Sequence, residues 1–242
     1  MNGLPDAKGY VTLPVIGNKD RTRMLAKLKQ LFRALRYQRQ LREAISTQLS
    51  LLEEDASFAL GGLTEEEEQF MRARVRECVG AMVTKHADGE GEGEKVGPIV
   101  EFGTLFGLTT RLIAAEAGSK MDVITVDNFS WNPFGLPPVL HETFTRKILR
   151  TELDEGRVSL SVADSGAFRA EYSGRVPSMV FLDADHSYGA VRDEIAWAKK
   201  LGVPWICGHD YGNPSFGVTR AVDEAFPVGV QTRGMVWSYC DH

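Results

Sequence analysis

The sequence predicts an α/β protein with a doubly wound, mostly parallel sheet, preceded by N-terminal helices and ending in an antiparallel hairpin. Beyond residue 97, short apolar runs alternate with stretches of helical periodicity, which is typical of βαβ units. Before residue 87, the apolar residues recur at helical spacing. We therefore divide the chain into a helical extension at 1–86, a linker at 87–96 and an α/β domain at 97–242.

The N-terminal part is predicted to contain amphipathic helices. Apolar residues between Met24 and Leu52 follow helical spacing, and Gly61-Gly62 suits the end of a helix. Thr64 and Glu67 match a capping box at the start of the next helix. The apolar stripe of that helix comprises Phe70, Val75, Val79 and Met82. We expect these helices to close a site as a lid or to form a homo-oligomer.

A basic run marks the first of these helices. Lys19 to Arg42 holds nine basic residues, with only Asp20 opposing them. Such a run is typical of a solvated helix face, and contact with a membrane surface or an anionic partner is the alternative. The glycine-rich segment from Ala87 to Lys95 cannot bury apolar surface, so we interpret it as a linker.

Five apolar runs, with helical patterns between some of them, predict the strands and helices of the α/β domain. The predicted strands are Ile99–Phe102, Val123–Val126, Val158–Val162, Met179–Leu182 and Trp205–Cys207. The predicted helices are Thr109–Ala117, His141–Leu153 and Ala190–Leu201. Val228–Val230 and Met235–Tyr239 flank Arg233-Gly234, which predicts the final hairpin.

Composition narrows the functional classes. The net charge of −5 argues against a nucleic-acid binder, which normally carries a basic excess. Three scattered cysteines fit a reducing compartment better than a disulfide framework or a zinc knuckle. No secretory signal and no membrane-spanning apolar stretch is visible, so we expect a cytoplasmic protein.

The segment from Glu101 to Gly107 predicts a strand, a glycine turn and the start of a helix. Amide groups of such a turn point at a ligand above it, and Gly103 lets the backbone approach closely. A P-loop is excluded because Gly-Lys-Ser/Thr is absent, and Leu105 breaks the dinucleotide pattern. What remains is the Glu-x-Gly-x-x-x-Gly pattern of enzymes that use S-adenosylmethionine (SAM), or a plain strand–helix turn.

Polar residues end the next two strands. Asp127 lies 24 residues beyond Gly103, at the end of the following strand, where an acid can accept hydrogen bonds from a ribose diol. Asp164 and Ser165 follow the third strand and suit contact with an adenine. Either aspartate could instead cap a loop or helix.

The fourth and fifth strands end in a possible metal site. Asp183 precedes Ala184-Asp185-His186-Ser187-Tyr188, and His209-Asp210 follows the fifth strand. Because adjacent strand ends meet at one edge of the sheet, Asp183, His209 and Asp210 could hold one cation. Carboxylates suit Mg²⁺, whereas imidazole suits Mn²⁺, Fe²⁺ or Zn²⁺. The alternative is that the two aspartates cap the following segments.

Taken together, these segments resemble class I methyltransferases of the family-24 type, relatives of catechol and sugar O-methyltransferases. The resemblance covers roughly residues 99–211 and is most specific at Asp183–Tyr188 and Gly208–Tyr211. It implies a seven-stranded Rossmann-like sheet and methyl transfer from SAM to a hydroxyl of a small molecule.

The resemblance also implies roles for individual residues. Residues at the methionine end of SAM would be Glu101, Gly103, Thr104 and Thr109. Asp127 would hold the ribose, with Asp164 and Ser165 near the adenine and Asp183 beside the cofactor. The metal ligands would be Asp183, His209 and Asp210, and the general base either Asp185 or His209. His209 departs from the aspartate usual in the clearest metal enzymes, which leaves the metal and its identity open between Mg²⁺, Mn²⁺ and Fe²⁺.

Two alternatives compete with this interpretation. Asp183-Ala184-Asp185 also matches the Asp-x-Asp of metal-dependent, nucleotide-sugar glycosyltransferases, although the glycine turn does not belong to that architecture. The chain could also bind SAM without turnover. The segment from Asn128 to Pro138, rich in aromatic residues and prolines, is either a lid over the acceptor or a surface loop.

Overall fold

The computed structural model describes residues 60–87 and 96–241, which lie within one compact unit spanning residues 57–242. The helix predicted between Met24 and Leu52, its basic run and most of the predicted linker lie outside the described residues. The division at residues 86 and 97 therefore stays a prediction.

Within the described residues, seven strands form one sheet with helices on both faces. The strands are β1 Ile99–Phe102, β2 Val123–Asp127, β3 Val158–Val162, β4 Met179–Leu182, β5 Trp205–Gly208, β6 Gln231–Arg233 and β7 Val236–Cys240. The helices are α1 Glu65–Ala87, α2 Leu108–Ala117, α3 Pro138–Ile148, α4 Arg150–Asp154, α5 Ser165–Glu171, α6 Tyr188–Leu201 and α7 Val218–Ala225. No described helix combines the length and the apolar character needed to cross a membrane.

The strand order is β3-β2-β1-β4-β5-β7-β6. Strands β1 to β5 pair in parallel, whereas β7 runs antiparallel to both β5 and β6. The central strands β1, β4 and β5 are buried along their whole length, as expected where helices cover both faces. The predicted doubly wound, seven-stranded sheet with its terminal hairpin is confirmed. The order reverses between β1 and β4, which is where ligands bind in open α/β sheets.

Helix α1 belongs to the core of this unit. Its start carries the predicted capping box, because Glu67 Oε2 accepts the Thr64 amide at 2.9 Å and Thr64 Oγ1 accepts the Glu67 amide at 3.4 Å. Met71, Val75 and Cys78 are fully buried and pack in one cluster with residues of β1, β4 and α2. The predicted stripe is therefore correct at Val75 and Val79, and its other members Phe70 and Met82 pack against the cluster while partly buried. Met71, which the prediction left out, is fully buried.

The helix predicted over His141–Leu153 divides into α3 and α4 at Leu149. Leu149 leaves helical geometry, with φ −85° and ψ 10°, and its side chain is fully buried. A Cβ at Gly107 would lie 2.7 Å from Leu149 Cγ, so the side chain fills the space beneath the turn after β1. The break between the two helices thus coincides with a residue that is buried against the turn. The short helices α5 and α7 were not predicted from the sequence.

The first strand of the hairpin lies three residues later than predicted. The expected Val228–Val230 strand is replaced by β6, and Val228 is 81% exposed. Arg233 pairs with Val236, leaving Gly234-Met235 as a two-residue turn. Such a turn fixes the register of both strands, which outweighs the apolar character of Val228.

The contribution of α1 to the core can be tested at Met71. We expect Met71→Ala to lower the free energy of unfolding by about 2–5 kcal/mol, because it leaves a cavity in a packed cluster. Denaturant unfolding measures this, with Gln69→Ala, at an exposed position of the same helix, as the control. Equal stability of the two variants would show that α1 does not share the core.

Candidate functional site

The turn after β1 runs close to the end of β4. Gly103 has φ 92° and Leu105 φ 46°, both in the left-handed region that favours glycine. A Cβ added at Gly103 would overlap the carbonyl oxygen of Asp183. Glycine is therefore needed here for contact between two strand ends, in addition to any approach to a ligand.

Asp127, the predicted ribose acid, holds this turn in place. Its Oδ2 accepts the amides of Thr104 and Leu105, each at 2.9 Å, and its Oδ1 accepts the amide of Phe129 at 2.7 Å. The residue is only partly buried, and a carboxylate offers about four acceptor sites. Asp127 can therefore anchor the turn and still accept hydrogen bonds from a ligand.

Glu101 lies beneath the turn and not on its surface. The side chain is fully buried, and its Oε2 accepts hydrogen bonds from Thr110 and, at 2.6 Å, from Thr125. Its Oε1 is buried and has no hydrogen-bond partner among the described residues. Burial raises the pKa of Glu101 to about 8, so the neutral acid is favoured. Thr109, also assigned to the cofactor, is buried at the start of α2.

The polar residues at the end of β3 hydrogen-bond within the protein, and Asp164 has the capping role that the sequence left open. Asp164 caps α5, since its Oδ1 accepts the amides of Gly166 at 2.8 Å and Ala167 at 3.3 Å. Ser165 donates its hydroxyl to Glu194 at 2.7 Å. Glu194 was not singled out from the sequence; it is buried on α6, where burial raises its pKa to about 7.

Four side chains from the ends of β4 and β5 form what we call the acid–histidine cluster: Asp183, His186, His209 and Asp210. Ligand atoms of Asp183, His209 and Asp210 all lie within 4.8 Å of one another, so the structure brings the three predicted metal residues together. His186 Nε2 lies 3.3 Å from Asp183 Oδ1 and 3.3 Å from Asp210 Oδ2. The sequence analysis did not assign a role to His186, although it lies within the segment from Asp183 to Tyr188.

Charge within the cluster favours bound protons when no cation is present. Burial by itself would lower the pKa of His209, but Asp210 and the charge of Asp183 outweigh it and raise that pKa to about 9. The pKa of His186 is also raised, because both carboxylates outweigh the effect of burial. Two imidazoles thus face two carboxylates, a donor set that a divalent cation can use once the imidazoles are neutral.

Glu67 connects helix α1 and the terminal hairpin to this cluster. Its Oε1 accepts the Met235 amide at 2.7 Å and lies 3.6 Å from His209 Nε2. A Cβ added at Gly234 would overlap the Glu67 carboxylate, so the hairpin turn packs directly against it. The capping box gave Glu67 a local role, but its place beside His209 depends on tertiary packing and has no sequence signal.

Asp185, one of the two candidate bases, lies outside the cluster. It is exposed, and its Oδ1 accepts the amide of Ser187 at 2.9 Å. Ser187 in turn caps the start of α6. The carboxylate is thus held at the edge of the site in contact with solvent.

The segment from Asn128 to Pro138, predicted as a lid or a surface loop, packs in part against the turn after β1. Phe129 is buried, with its ring 5.0 Å from that of His141, and the rings of Phe134 and Phe106 lie 5.7 Å apart. Trp131, in contrast, is 70% exposed. The loop therefore presents one large aromatic side chain to solvent on an anchored base.

The buried acid beneath the turn predicts a pH effect on stability. Because the pKa of Glu101 is raised in the folded state, the stability linked to its protonation is complete below about pH 4.5 and is lost as the pH rises through about 8. Relative to Glu101→Gln, the wild type should lose up to about 1.4 kcal/mol of unfolding free energy per pH unit in this window. Denaturant unfolding at several pH values measures the difference, and Glu155→Gln, at an exposed acid, is the control. Parallel pH profiles for wild type and Glu101→Gln would contradict it.

Comparisons with known proteins identify the fold. The sequence matches no protein family model and no curated protein. Similar solved structures include the O-methyltransferase from Bacillus cereus in complex with S-adenosylhomocysteine (SAH). It is 16% identical with a TM-score of 0.53, covering 81% of this chain and 91% of that chain. A protein from Corynebacterium glutamicum is 14% identical with a TM-score of 0.52, covering 86% of this chain and 99% of that chain. The O-methyltransferase TomG from Streptomyces achromogenes, in complex with SAM, is 14% identical with a TM-score of 0.50, covering 73% and 79%. The chain therefore has the fold of these O-methyltransferases.

Proposed function

We propose that the chain is a SAM-dependent O-methyltransferase that transfers a methyl group to a hydroxyl of a small molecule, assisted by a divalent cation. The observation that carries this proposal is the contact between Gly103 and the carbonyl of Asp183. It brings a ligand-binding turn and the acid–histidine cluster to the same edge of the sheet. A methyl donor and a polarised hydroxyl need to meet in this way.

Similar structures support the choice of cofactor. Bacillus cereus O-methyltransferase contains SAH, and TomG contains SAM. Both share the fold of this chain, in which β1 and β4 flank the point where the strand order reverses. We place the cofactor there, because open α/β sheets bind ligands at that point.

In this proposal the cofactor contacts come from the ends of three strands. Gly103 and Thr104 contribute the turn at the methionine end, with Asp183 beside it. Asp127 accepts the ribose hydroxyls with the acceptor sites that the turn amides leave free. Buried Glu101 and Thr109 support the turn from below.

The adenine side needs a different arrangement from the one the sequence suggested. Asp164 is committed to capping α5, and the Ser165 hydroxyl is committed to Glu194. We therefore propose that Asp164 and Ser165 line the adenine pocket and contact the adenine mainly through their backbone atoms, at the start of α5.

The cluster fits a divalent cation. Asp183, His209 and Asp210 would hold it, and Nε2 atoms of His186 and His209 are buried without a hydrogen-bond partner among the described residues. A bound cation would orient the acceptor hydroxyl and lower its pKa. Mg²⁺, Mn²⁺ and Fe²⁺ are the candidates, and the donor set includes imidazole, which favours the last two.

Chemistry at the reacting atoms is a single displacement. The acceptor oxygen forms a bond to the methyl carbon while the carbon–sulfur bond breaks, which yields a methyl ether and SAH. The hydroxyl proton must go to a base. His209 directs Nδ1 towards Asp210 at 3.5 Å, so a cation bound at that nitrogen would occupy its lone pair. Asp185 is then the proton acceptor, and His209 takes that role only in a reaction without a cation.

The alternatives predict different binding. A nucleotide-sugar glycosyltransferase would bind a nucleoside diphosphate sugar and not SAH. A SAM-binding protein without turnover would bind SAH but methylate no acceptor in a broad screen. The fold that the chain shares with O-methyltransferases does not favour either alternative over the proposed methyltransferase.

Location and assembly follow as further parts of the proposal. Cys78 and Cys207 are buried thiols without a disulfide, which supports a cytoplasmic location. A homo-oligomer formed through the N-terminal helices stays a prediction, because most of those residues lie outside the described part of the chain.

The ribose assignment can be tested at Asp127. We expect Asp127→Ala to weaken SAH binding at least tenfold, because it removes the ribose acceptor and releases the amides of Thr104 and Leu105. Asp127→Asn should have a smaller effect, since one acceptor oxygen remains. Calorimetric titration measures both, with Asn128→Ala, at the exposed neighbour, as the control. Unchanged affinity in Asp127→Ala would remove the assignment.

Cation binding can be tested at Asp210. Chelator-treated wild type should bind Mn²⁺, and Asp210→Ala should abolish that binding while keeping SAH affinity. Because Asp210 has φ 61°, Asp210→Asn serves as a second variant that tolerates the left-handed region. Asp193→Asn, at an exposed acid on α6, is the control. If the wild type binds no divalent cation and chelator changes nothing, the metal assignment is wrong.

A further inference from the structure

Leu105 has an unfavourable backbone conformation in the turn after β1. Its φ of 46° lies in the left-handed region, which a residue with a bulky side chain adopts only rarely. Such a conformation persists where the surrounding structure over-determines it, and it is commonest at functional sites. The turn that we place against the cofactor therefore needs contacts that hold Leu105.

Side chains of β2 and α3 supply those contacts. The Leu105 amide donates to Asp127 Oδ2 at 2.9 Å. The Leu105 carbonyl accepts hydrogen bonds from His141 Nε2 at 3.0 Å and from Thr145 Oγ1 at 2.6 Å. Both donors belong to fully buried residues, where a hydrogen bond is stronger than in water. The peptide groups before and after Leu105 are thus both held.

The imidazole ring of His141 also joins the turn to the segment after β2. Its centroid lies 4.7 Å from that of Phe106 in the turn and 5.0 Å from that of Phe129 in the segment. A carbonyl oxygen only accepts, so Nε2 carries the proton. Nδ1 is buried without a hydrogen-bond partner among the described residues. Burial lowers the pKa of His141, which agrees with a neutral imidazole in this tautomer.

We infer that His141 is a positioning residue for the cofactor, an inference that rests on the cofactor site proposed above. His141 acts through Leu105, because the hydrogen bond from Nε2 keeps the turn in the conformation in which Asp127 binds its amides. Affinity falls with the fraction of molecules whose site is competent to bind. Loss of this hydrogen bond should therefore weaken cofactor binding, although Gly103, Thr104 and Asp127 are unchanged.

Two variants separate the hydrogen bond from the packing of the ring. His141→Phe keeps an aromatic ring between Phe106 and Phe129 but removes the donor. We expect it to weaken SAH binding about three- to tenfold, the range that the loss of one hydrogen bond produces. His141→Gln loses the ring, but its amide can donate to the same carbonyl, so it should restore most of the affinity. Calorimetric titration of the full chain with SAH measures both.

The second donor provides a matched pair of variants on the same helix. Thr145→Val removes the other hydrogen bond to the Leu105 carbonyl and should weaken SAH binding by a similar factor. Thr143→Val is the control, because Thr143 is exposed and its hydroxyl donates within α3. Thr143→Val should match the wild type.

The wild type alone provides a spectroscopic test. Nitrogen-15 NMR near neutral pH should show His141 as a neutral imidazole, with an Nε2 proton that is protected from exchange with water. The signal is assigned by its loss in His141→Gln or by its through-space contacts to Phe106 and Phe129. A proton on Nδ1 instead of Nε2 would overturn the role of His141.

The outcomes separate this inference from the proposed function. If His141→Phe binds SAH as tightly as the wild type, or if His141→Gln binds as weakly as His141→Phe, the inference is wrong while the proposed methyl transfer stands. Wild-type protein that binds no SAH overturns the proposed cofactor and this inference with it. Cooperative unfolding is checked for each variant, and if His141→Phe does not fold, Thr145→Val and the wild-type spectrum decide.

Discussion

The backbone of Gly103 lies so close to the carbonyl of Asp183 that no side chain fits between them. This contact joins the ends of β1 and β4, the two strands on either side of the point where the strand order reverses. On one side of it, Asp127 holds the turn amides; on the other, the acid–histidine cluster begins. A larger residue at position 103 would force the two strand ends apart and separate the proposed cofactor site from the proposed cation site.

Two buried carboxyl groups, those of Glu101 and Glu194, hold residues at this edge of the sheet in place. Glu101 supports the turn through Thr110 and Thr125, and Glu194 holds the Ser165 hydroxyl. Each has one buried oxygen without a hydrogen-bond partner among the described residues. Burying such a group costs far more free energy when it is charged than when it is neutral, and burial accordingly raises the pKa of both acids.

Much of the fold could be predicted because the signals are local. Alternating apolar runs and helical patterns locate the central strands, and residues that end parallel strands must meet at one edge. This reasoning correctly placed Asp183, His209 and Asp210 together. It failed where a partner comes from another element. The sequence cannot show that Leu149 fills the space beneath Gly107, that Ser165 donates its hydroxyl to Glu194, or that Glu67 and His186 face the same cluster.

Glu67 has a further consequence, for the order in which the molecule assembles. Its hydrogen bond to Met235 joins residues 168 positions apart, and the same carboxylate lies against His209. Contacts of such long range are costly in loop entropy and tend to form late in folding. During synthesis, the surroundings of His209 are incomplete until the hairpin turn has left the ribosome. A partly made chain can thus hold the parallel strands β1 to β5 before Glu67 and the Gly234-Met235 turn close around His209.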